Sequence, residues 1–155
     1  MTETARRETT APVVRTVHAR CAPDRAFALF TERITDWWPL QRFGLFEDQT
    51  LGVWFKGERV VERSRSGEEG VWAELLEWSP PSKLVMSWHP GGPATDATIV
   101  EVEFLADGDG TRVVLTHHGW ERLGEQAVEA RGSYAEGWLS VLEGYGALCE
   151  QTEAS

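Results

Sequence analysis

The chain has 155 residues, a formal charge of -10 and two cysteines, Cys21 and Cys149, far apart and outside any CxxC motif. That length can bury one core without disulfide or metal staples, the acidity disfavours nucleic-acid binding, and the cysteines fit free thiols in a reducing compartment. No stretch is apolar for long enough to span a bilayer and MTETARRETTAP lacks a signal-peptide core, so a soluble cytoplasmic protein is expected.

In chain order, residues 1–12 are polar and aperiodic and are expected to be flexible, with a single domain over residues 13–151. A first strand is expected at Val13–Arg20, where β-branched residues alternate with polar ones. Pro23 then suits a first helical turn, followed by Asp24 and by Ala26, Phe27, Phe30 and Ile34 at helical spacing. ITDWWP adds a second short helical turn that Pro39 ends. Residues 40–50 have no clear period and are expected as a loop, its Phe43, Leu45 and Phe46 exposed or forming a lid.

From Leu51 the period is two. Strands are expected at Leu51–Lys56, Arg59–Ser64, Val71–Trp78, Lys83–His89, Ala97–Leu105 and Thr111–His118, split by turn-forming SGEEG, SPPS, PGGPATD and ADGDG. Short connections imply an antiparallel meander. Parity puts Leu76, Trp78, Leu84, Met86, Trp88, Val100, Val102, Phe104, Val113, Leu115 and His117 on one face. It puts Glu101, Glu103, Arg112, Thr116 and His118 on the other, so Glu101 and Glu103 are expected to be exposed.

The last stretch, Glu125–Glu150, contains no proline and would make a helix nearly 40 Å long at ~1.5 Å per residue. Ala127, Tyr134, Trp138, Val141, Leu142, Tyr145 and Leu148 recur at helical spacing, opposite Glu129, Glu136, Glu143 and Glu150. Gly132, Gly137, Gly144 and Gly146 each weaken a helix by roughly 0.5–1 kcal/mol against alanine, which makes them candidates for close approach or a bend. Elements in this order imply an α+β arrangement with helices on one side of the sheet.

Several runs carry a resemblance: GERVVERSRSGEEGVWAELLEWSPPSKLVMSW, ATIVEVEFLADGDGTRVVLTHHGW and GSYAEGWLSVL. They resemble the SRPBCC superfamily, also called START-like or Bet v 1-like. Within it they are most similar to bacterial members of the branch named after the activator of the heat-shock-protein-90 ATPase. Trp78 to Pro81 with Leu84 and Trp88, Gly110 to Val113 with His117, Gly119 and Trp120, and Gly137-Trp138 carry most of the likeness. Ala73 and His118 depart from it.

The resemblance implies a helix-grip fold, in which a seven-stranded curved antiparallel sheet wraps around a long C-terminal helix, with two short helices after the first strand. It also implies a cavity for a small hydrophobic, lipid-like or aromatic ligand. The residues themselves show no cofactor motif and no run long enough for membrane insertion, so neither is expected. A homodimer is compatible with such domains. ATPase activation does not carry over, because small bacterial members lack the additional domain of the eukaryotic co-chaperone.

Eight tryptophans either fill a thin core or line a pocket. The residues expected around a pocket are Trp37, Trp78, Met86, Trp88, Val102, Phe104, Leu115, His117, Tyr134 and Trp138, with Trp37 and Trp38 closing one end and Arg131 near the polar groups. No catalytic set is evident. The alternative is a cyclase or dehydratase using His117, Glu62 or Glu74 as acid and base, and a third reading is a protein-interaction module. His117 and His118 are adjacent on a strand and point oppositely, while His18 and His89 have no spacing motif, so no metal site is expected. DGDG is read as a hairpin turn without the later ligands of a calcium loop.

Overall fold

The computed structural model describes residues 10–40, 44–90 and 92–154. The expected loose N-terminus thus falls mostly outside the described residues, as does Phe43. The strands are β1 (Val13–Ala19), β2 (Thr50–Lys56), β3 (Arg59–Ser64), β4 (Glu69–Ser79), β5 (Lys83–Trp88), β6 (Thr98–Asp107) and β7 (Gly110–His118). The helices are α1 (Pro23–Glu32), α2 (Ile34–Trp37) and α3 (Ala127–Ala154). Residues 40–50 are not wholly irregular, since Glu47–Gln49 forms a 3-10 turn and β2 begins at Thr50.

All seven strands form one antiparallel sheet in the order β1-β7-β6-β5-β4-β3-β2. The meander from β2 to β7 follows its tight turns, and β1 closes the far side against β7. In the ADGDG hairpin Gly108 has φ 59°, a conformation that glycine adopts without a Cβ penalty. α1 starts at Pro23, whose missing N–H would be unsatisfied there anyway, and buries Ala26, Phe27, Leu29 and Phe30 against the sheet. The sheet curls around α3, an α+β helix-grip fold.

Two register shifts in β4 alter the alternation expected from sequence. One shift, between Val60 and Val61 of the partner β3, lets both Trp72 and Ala73 be buried. The other lies between Leu75 and Glu77 and leaves Leu76 unpaired and 59% exposed, so Leu76 is not a core residue as its parity suggested. Glu74 shares the expected parity of Trp72 but does not share its burial: its side chain is 44% exposed, with Oε1 3.7 Å from His89 Nε2. Trp78 stays opposite Leu84 but sits at the strand end, 47% exposed.

On the outer face Glu103 is exposed and Glu101 is half-buried in a bridge, its carboxylate 2.5 Å from His118 Nε2 and 3.4 Å from Lys83 Nζ. Burial raises the Glu101 pKa, yet the bonds to His118 and Lys83 outweigh it and hold the group below its ordinary value.

α3 is about 40 Å long at 1.5 Å per residue, and a separate 3-10 segment, Trp120–Gln126, precedes it, broken at Gly124. Trp138, Val141, Leu142, Tyr145, Leu148 and Cys149 are buried, while Glu129, Glu136, Glu143 and Glu150 are exposed. The Tyr145 hydroxyl donates to the Ala26 carbonyl at 2.6 Å and ties α3 to α1. Two glycines mark close approach. A Cβ on Gly144 would lie 2.6 Å from the Trp37 carbonyl oxygen, and one on Gly146 3.0 Å from Val17 Cγ2, whereas Gly132 faces open space.

Opposite outcomes follow for one substitution at two positions. Gly132→Ala should stabilise by ~0.5–1 kcal/mol through helix propensity. Gly144→Ala should destabilise by ~2 kcal/mol despite the same gain, because α2 must be pushed away. Urea unfolding of both variants measures the difference, and equal effects would contradict the close packing of α2 on α3.

Candidate functional site

Aromatic rings from four elements converge at the N-terminal half of α3. The α2 end contributes Trp38, β4 contributes Trp72, β5 contributes Trp88, and α3 contributes Tyr134 and Trp138. Trp38 packs on Trp72 with ring centroids 4.8 Å apart and stands nearly perpendicular to Trp138 at 5.6 Å. Trp88 lies 5.9 Å from Trp72 and 5.6 Å from Trp138. These rings, with Pro90, Ser133, Gly137 and Val141, surround a partly open cavity of about 320 Å³. That is within the ~300–1,000 Å³ of small-molecule pockets.

Of the residues expected around a pocket, Trp88, Tyr134 and Trp138 line this cavity. Met86, Val102, Phe104 and Leu115 are packed in the core on the sheet's inner face. Trp37 is buried too, between Phe30 and Tyr145, its N–H donating to the Leu29 carbonyl at 3.2 Å. Trp78 stands away from the cavity, edge-on to Phe27. Arg131 donates to the Ala11 carbonyl at 2.6 Å.

Sequence reasoning did not assign Trp72, Pro90, Ser133, Gly137 and Val141 to a pocket. Trp72 shares the parity of Trp78, so alternation already turned it inward, and the β4 bulge buries Ala73 beside it. Ser133, Gly137 and Val141 are spaced by four, a second stripe beside Tyr134 and Trp138 that was legible in the sequence.

His117 lies behind the wall, fully buried. The Trp138 indole N–H, a donor only, meets His117 Nδ1 at 3.0 Å, so Nδ1 is unprotonated. Nε2 therefore carries the proton and donates to Thr98 Oγ1 at 2.6 Å, while the Thr98 hydroxyl reaches the Trp88 carbonyl at 3.4 Å. The backbone carbonyl of His117 accepts the Trp120 indole N–H at 3.0 Å. This imidazole is a neutral connector with both nitrogens committed. Burial, aided by the field of His118, lowers its pKa from 6.5 to about 3.

Below pH 6.5 the unfolded chain protonates His117 and the folded chain does not until about 3, so the contribution of this residue to stability is lost as pH falls through that window. Its slope approaches about 1.4 kcal/mol per pH unit. His117→Gln, which can still accept from Trp138 and donate to Thr98, should flatten the acid limb of a stability–pH curve. An unchanged limb would mean that His117 titrates normally.

Glu62 is a fully buried carboxylate. Its Oε1 accepts from Leu45 N at 2.7 Å and Trp72 Nε1 at 2.8 Å, and its Oε2 from Phe46 N at 3.2 Å and Thr50 Oγ1 at 2.5 Å. The carboxylate fastens the segment before β2 and holds the Trp72 ring in the cavity wall. None of His117, Glu62 and Glu74, the groups a cyclase would need, lines the cavity.

Its polar wall groups are few. Tyr134 Oη accepts the Trp88 indole N–H at 3.2 Å, and burial raises its pKa although that bond pulls the other way. The Trp38 indole N–H is buried without an acceptor among the described residues. Those residues also contain no cluster of His, Cys, Asp and Glu able to hold a metal ion, and no helix among them is long and apolar enough to cross a membrane.

A curled antiparallel sheet around one long C-terminal helix, with a ring-lined cavity between them, defines the ligand-binding SRPBCC fold. The chain belongs to the family described as Activator of Hsp90 ATPase homolog 1-like protein, which matches residues 20–149. No curated protein matches it in sequence. Among solved structures, the anthrahydroquino-gamma-pyrone synthase Txn09 is 29% identical with a TM-score of 0.60, over 88% of this chain and 95% of that one. The self-sacrificing resistance protein CalC from Micromonospora echinospora is 21% identical with a TM-score of 0.64, over 93% and 97%. Protein MLL2253 from Mesorhizobium loti is 18% identical with a TM-score of 0.64, over 91% and 98%. The last two share the fold.

Proposed function

We propose that this protein binds a planar, fused-ring aromatic molecule between the tryptophans of the sheet and the N-terminal half of α3. The observation that carries the reading is the wall itself: four indoles and a phenol around about 320 Å³, with no Asp, Glu, Lys, Arg or His lining it among the described residues. Such a lining favours flat π-systems, which can stack on or meet the edges of the rings, over flexible chains. The Tyr134 O–H, which has no acceptor among the described residues, favours a ligand with a carbonyl acceptor. The likeness to a synthase named for an anthrahydroquino-gamma-pyrone supports the same ligand class.

That likeness also favours a second reading, a reaction on the bound ring system, for which the Tyr134 hydroxyl is the acid group available in the wall. Retained ligand binding by Tyr134→Phe, with turnover lost, would distinguish catalysis from binding alone.

Intrinsic tryptophan fluorescence, titrated with a hydroxyanthraquinone and with a saturated fatty acid, tests the main reading. Saturable quenching is expected with the anthraquinone, with little change for the fatty acid, and Gly137→Leu should abolish it by filling the cavity. No saturable change with the aromatic compound, or equal binding by Gly137→Leu, would overturn the proposal.

A further inference from the structure

A second concavity, separate from the tryptophan-walled one, lies between the end of α1 and the β2–β3 and β4 strands. It measures about 520 Å³, and its lining includes Glu32, Phe55, Glu58, Leu76, Glu77 and Trp78. Its floor is apolar and incompletely covered. Trp78 is 47% exposed although its ring is edge-on to Phe27 at 5.0 Å and 6.1 Å from Phe55, and Leu76, set outward by the β4 bulge, is 59% exposed. A bulged strand that holds a leucine and a tryptophan in water exposes apolar surface whose burial by a partner would be favourable.

Its rim is of one sign. Glu32, Glu58 and Glu77 border the floor, no Lys or Arg lines it, and none of the three is in an ion pair among the described residues. Glu77 accepts only the Ser79 hydroxyl at 3.2 Å and feels the field of Lys83, whose ammonium is engaged with Glu101. The Thr31 hydroxyl already donates to the Phe27 carbonyl at 2.9 Å. The groove therefore offers apolar contact and carboxylate acceptors, and its complement is an apolar anchor flanked by cations.

From this charge complementarity we infer that the groove docks a basic amphipathic peptide segment of a partner protein. An aromatic or leucine side chain of that segment would pack on Trp78 and Leu76, with Lys or Arg groups meeting Glu32, Glu58 and Glu77. This site is independent of the ligand cavity, so either can fail without the other.

The probe is a synthetic amphipathic peptide of leucine and lysine, and its counterpart has glutamate in place of lysine. Binding to the full chain is followed by backbone amide shifts and by anisotropy of the labelled peptide. The lysine peptide should move resonances of Leu76, Trp78 and Glu58, weaken as salt rises, and lose about tenfold or more in affinity in Trp78→Ser and in the combined E32Q, E58Q and E77Q variant. The matched control neutralises Glu121, Glu125 and Glu129, which lie outside the groove, and should leave binding nearly unchanged.

An equal loss in that control would reduce the effect to net charge and overturn the proposal. Binding of the glutamate peptide, or unchanged binding in Trp78→Ser, would do the same. Self-association of the chain through this face, or preferential binding of a long-chain alkylamine, would assign the groove to another occupant and also overturn it.

Discussion

Replacing Glu62 with alanine should destabilise the protein by roughly 4 kcal/mol or more, well beyond the ~0.5–3 kcal/mol of most point mutations. The reason is a concentration of donors around one buried carboxylate: two backbone N–H groups, the Thr50 hydroxyl and the Trp72 indole. A hydrogen bond to a charged group contributes ~1.5–3 kcal/mol, and a buried donor stripped of its acceptor costs ~1–3 kcal/mol. Four such bonds are not additive, and water entering the vacated space would recover part of the loss.

Glutamine refines the test. It does best with its carbonyl at the Oε1 position, still accepting from Leu45 N and the Trp72 indole, and with its amide nitrogen donating to Thr50. Only the Phe46 N–H then lacks an acceptor. Glu62→Gln should therefore cost ~2 kcal/mol, about half the alanine value. Equal losses for the two variants, measured by urea unfolding, would mean that shape rather than hydrogen bonding makes Glu62 important. Ligand affinity should fall with both, because Glu62 holds Trp72 in the wall.

Trp138→Ala is expected to cost ~3–5 kcal/mol, as large-to-small core changes do. The ring is 2% exposed and packs on Trp38, Trp88 and Tyr134, and its N–H is the donor that fixes the His117 tautomer. An existing cavity beside the ring limits what packing alone can lose. Orphaning His117 Nδ1 adds to the cost. Trp138→Phe keeps much of the apolar surface and removes the donor, so ~1–2 kcal/mol should separate it from wild type. A cost below ~1 kcal/mol for alanine would mean that the ring faces open space rather than supporting the core.

Much of this fold was legible because its elements obey simple periods. The apolar stripe of α3, Pro23 at the start of α1 and the Gly/Asp turns each imposed one local answer, and Leu84, Met86 and Trp88 face inward as alternation required. The failures cluster on β4. Two register shifts there bury both Trp72 and Ala73, expose Leu76 and leave Glu74 half in solvent, because a bulge depends on the partner strand rather than on the period of its own sequence.

The candidate site was legible only in part. Trp88, Tyr134 and Trp138 could be grouped from strand parity and helical spacing. Trp72 shares the inward parity of Trp78 and could have joined them, and Trp37 and Trp38, expected together at one end, stay packed with ring centroids 5.6 Å apart but divide their roles, Trp37 in the core and Trp38 in the wall. Nothing in the sequence distinguished His117 as a connector from His117 as a base. That distinction rests on its two hydrogen-bond partners, Trp138 and Thr98, which lie 21 and 19 residues away along the chain.

The most direct measurement is a titration of the indole N–H resonances with a hydroxyanthraquinone, after each of the eight tryptophans has been assigned by substitution. Binding in the proposed cavity predicts that Trp38, Trp72, Trp88 and Trp138 move saturably together while Trp54 and Trp78 stay in place. Movement confined to Trp54 and Trp78, or no movement at all, would contradict it.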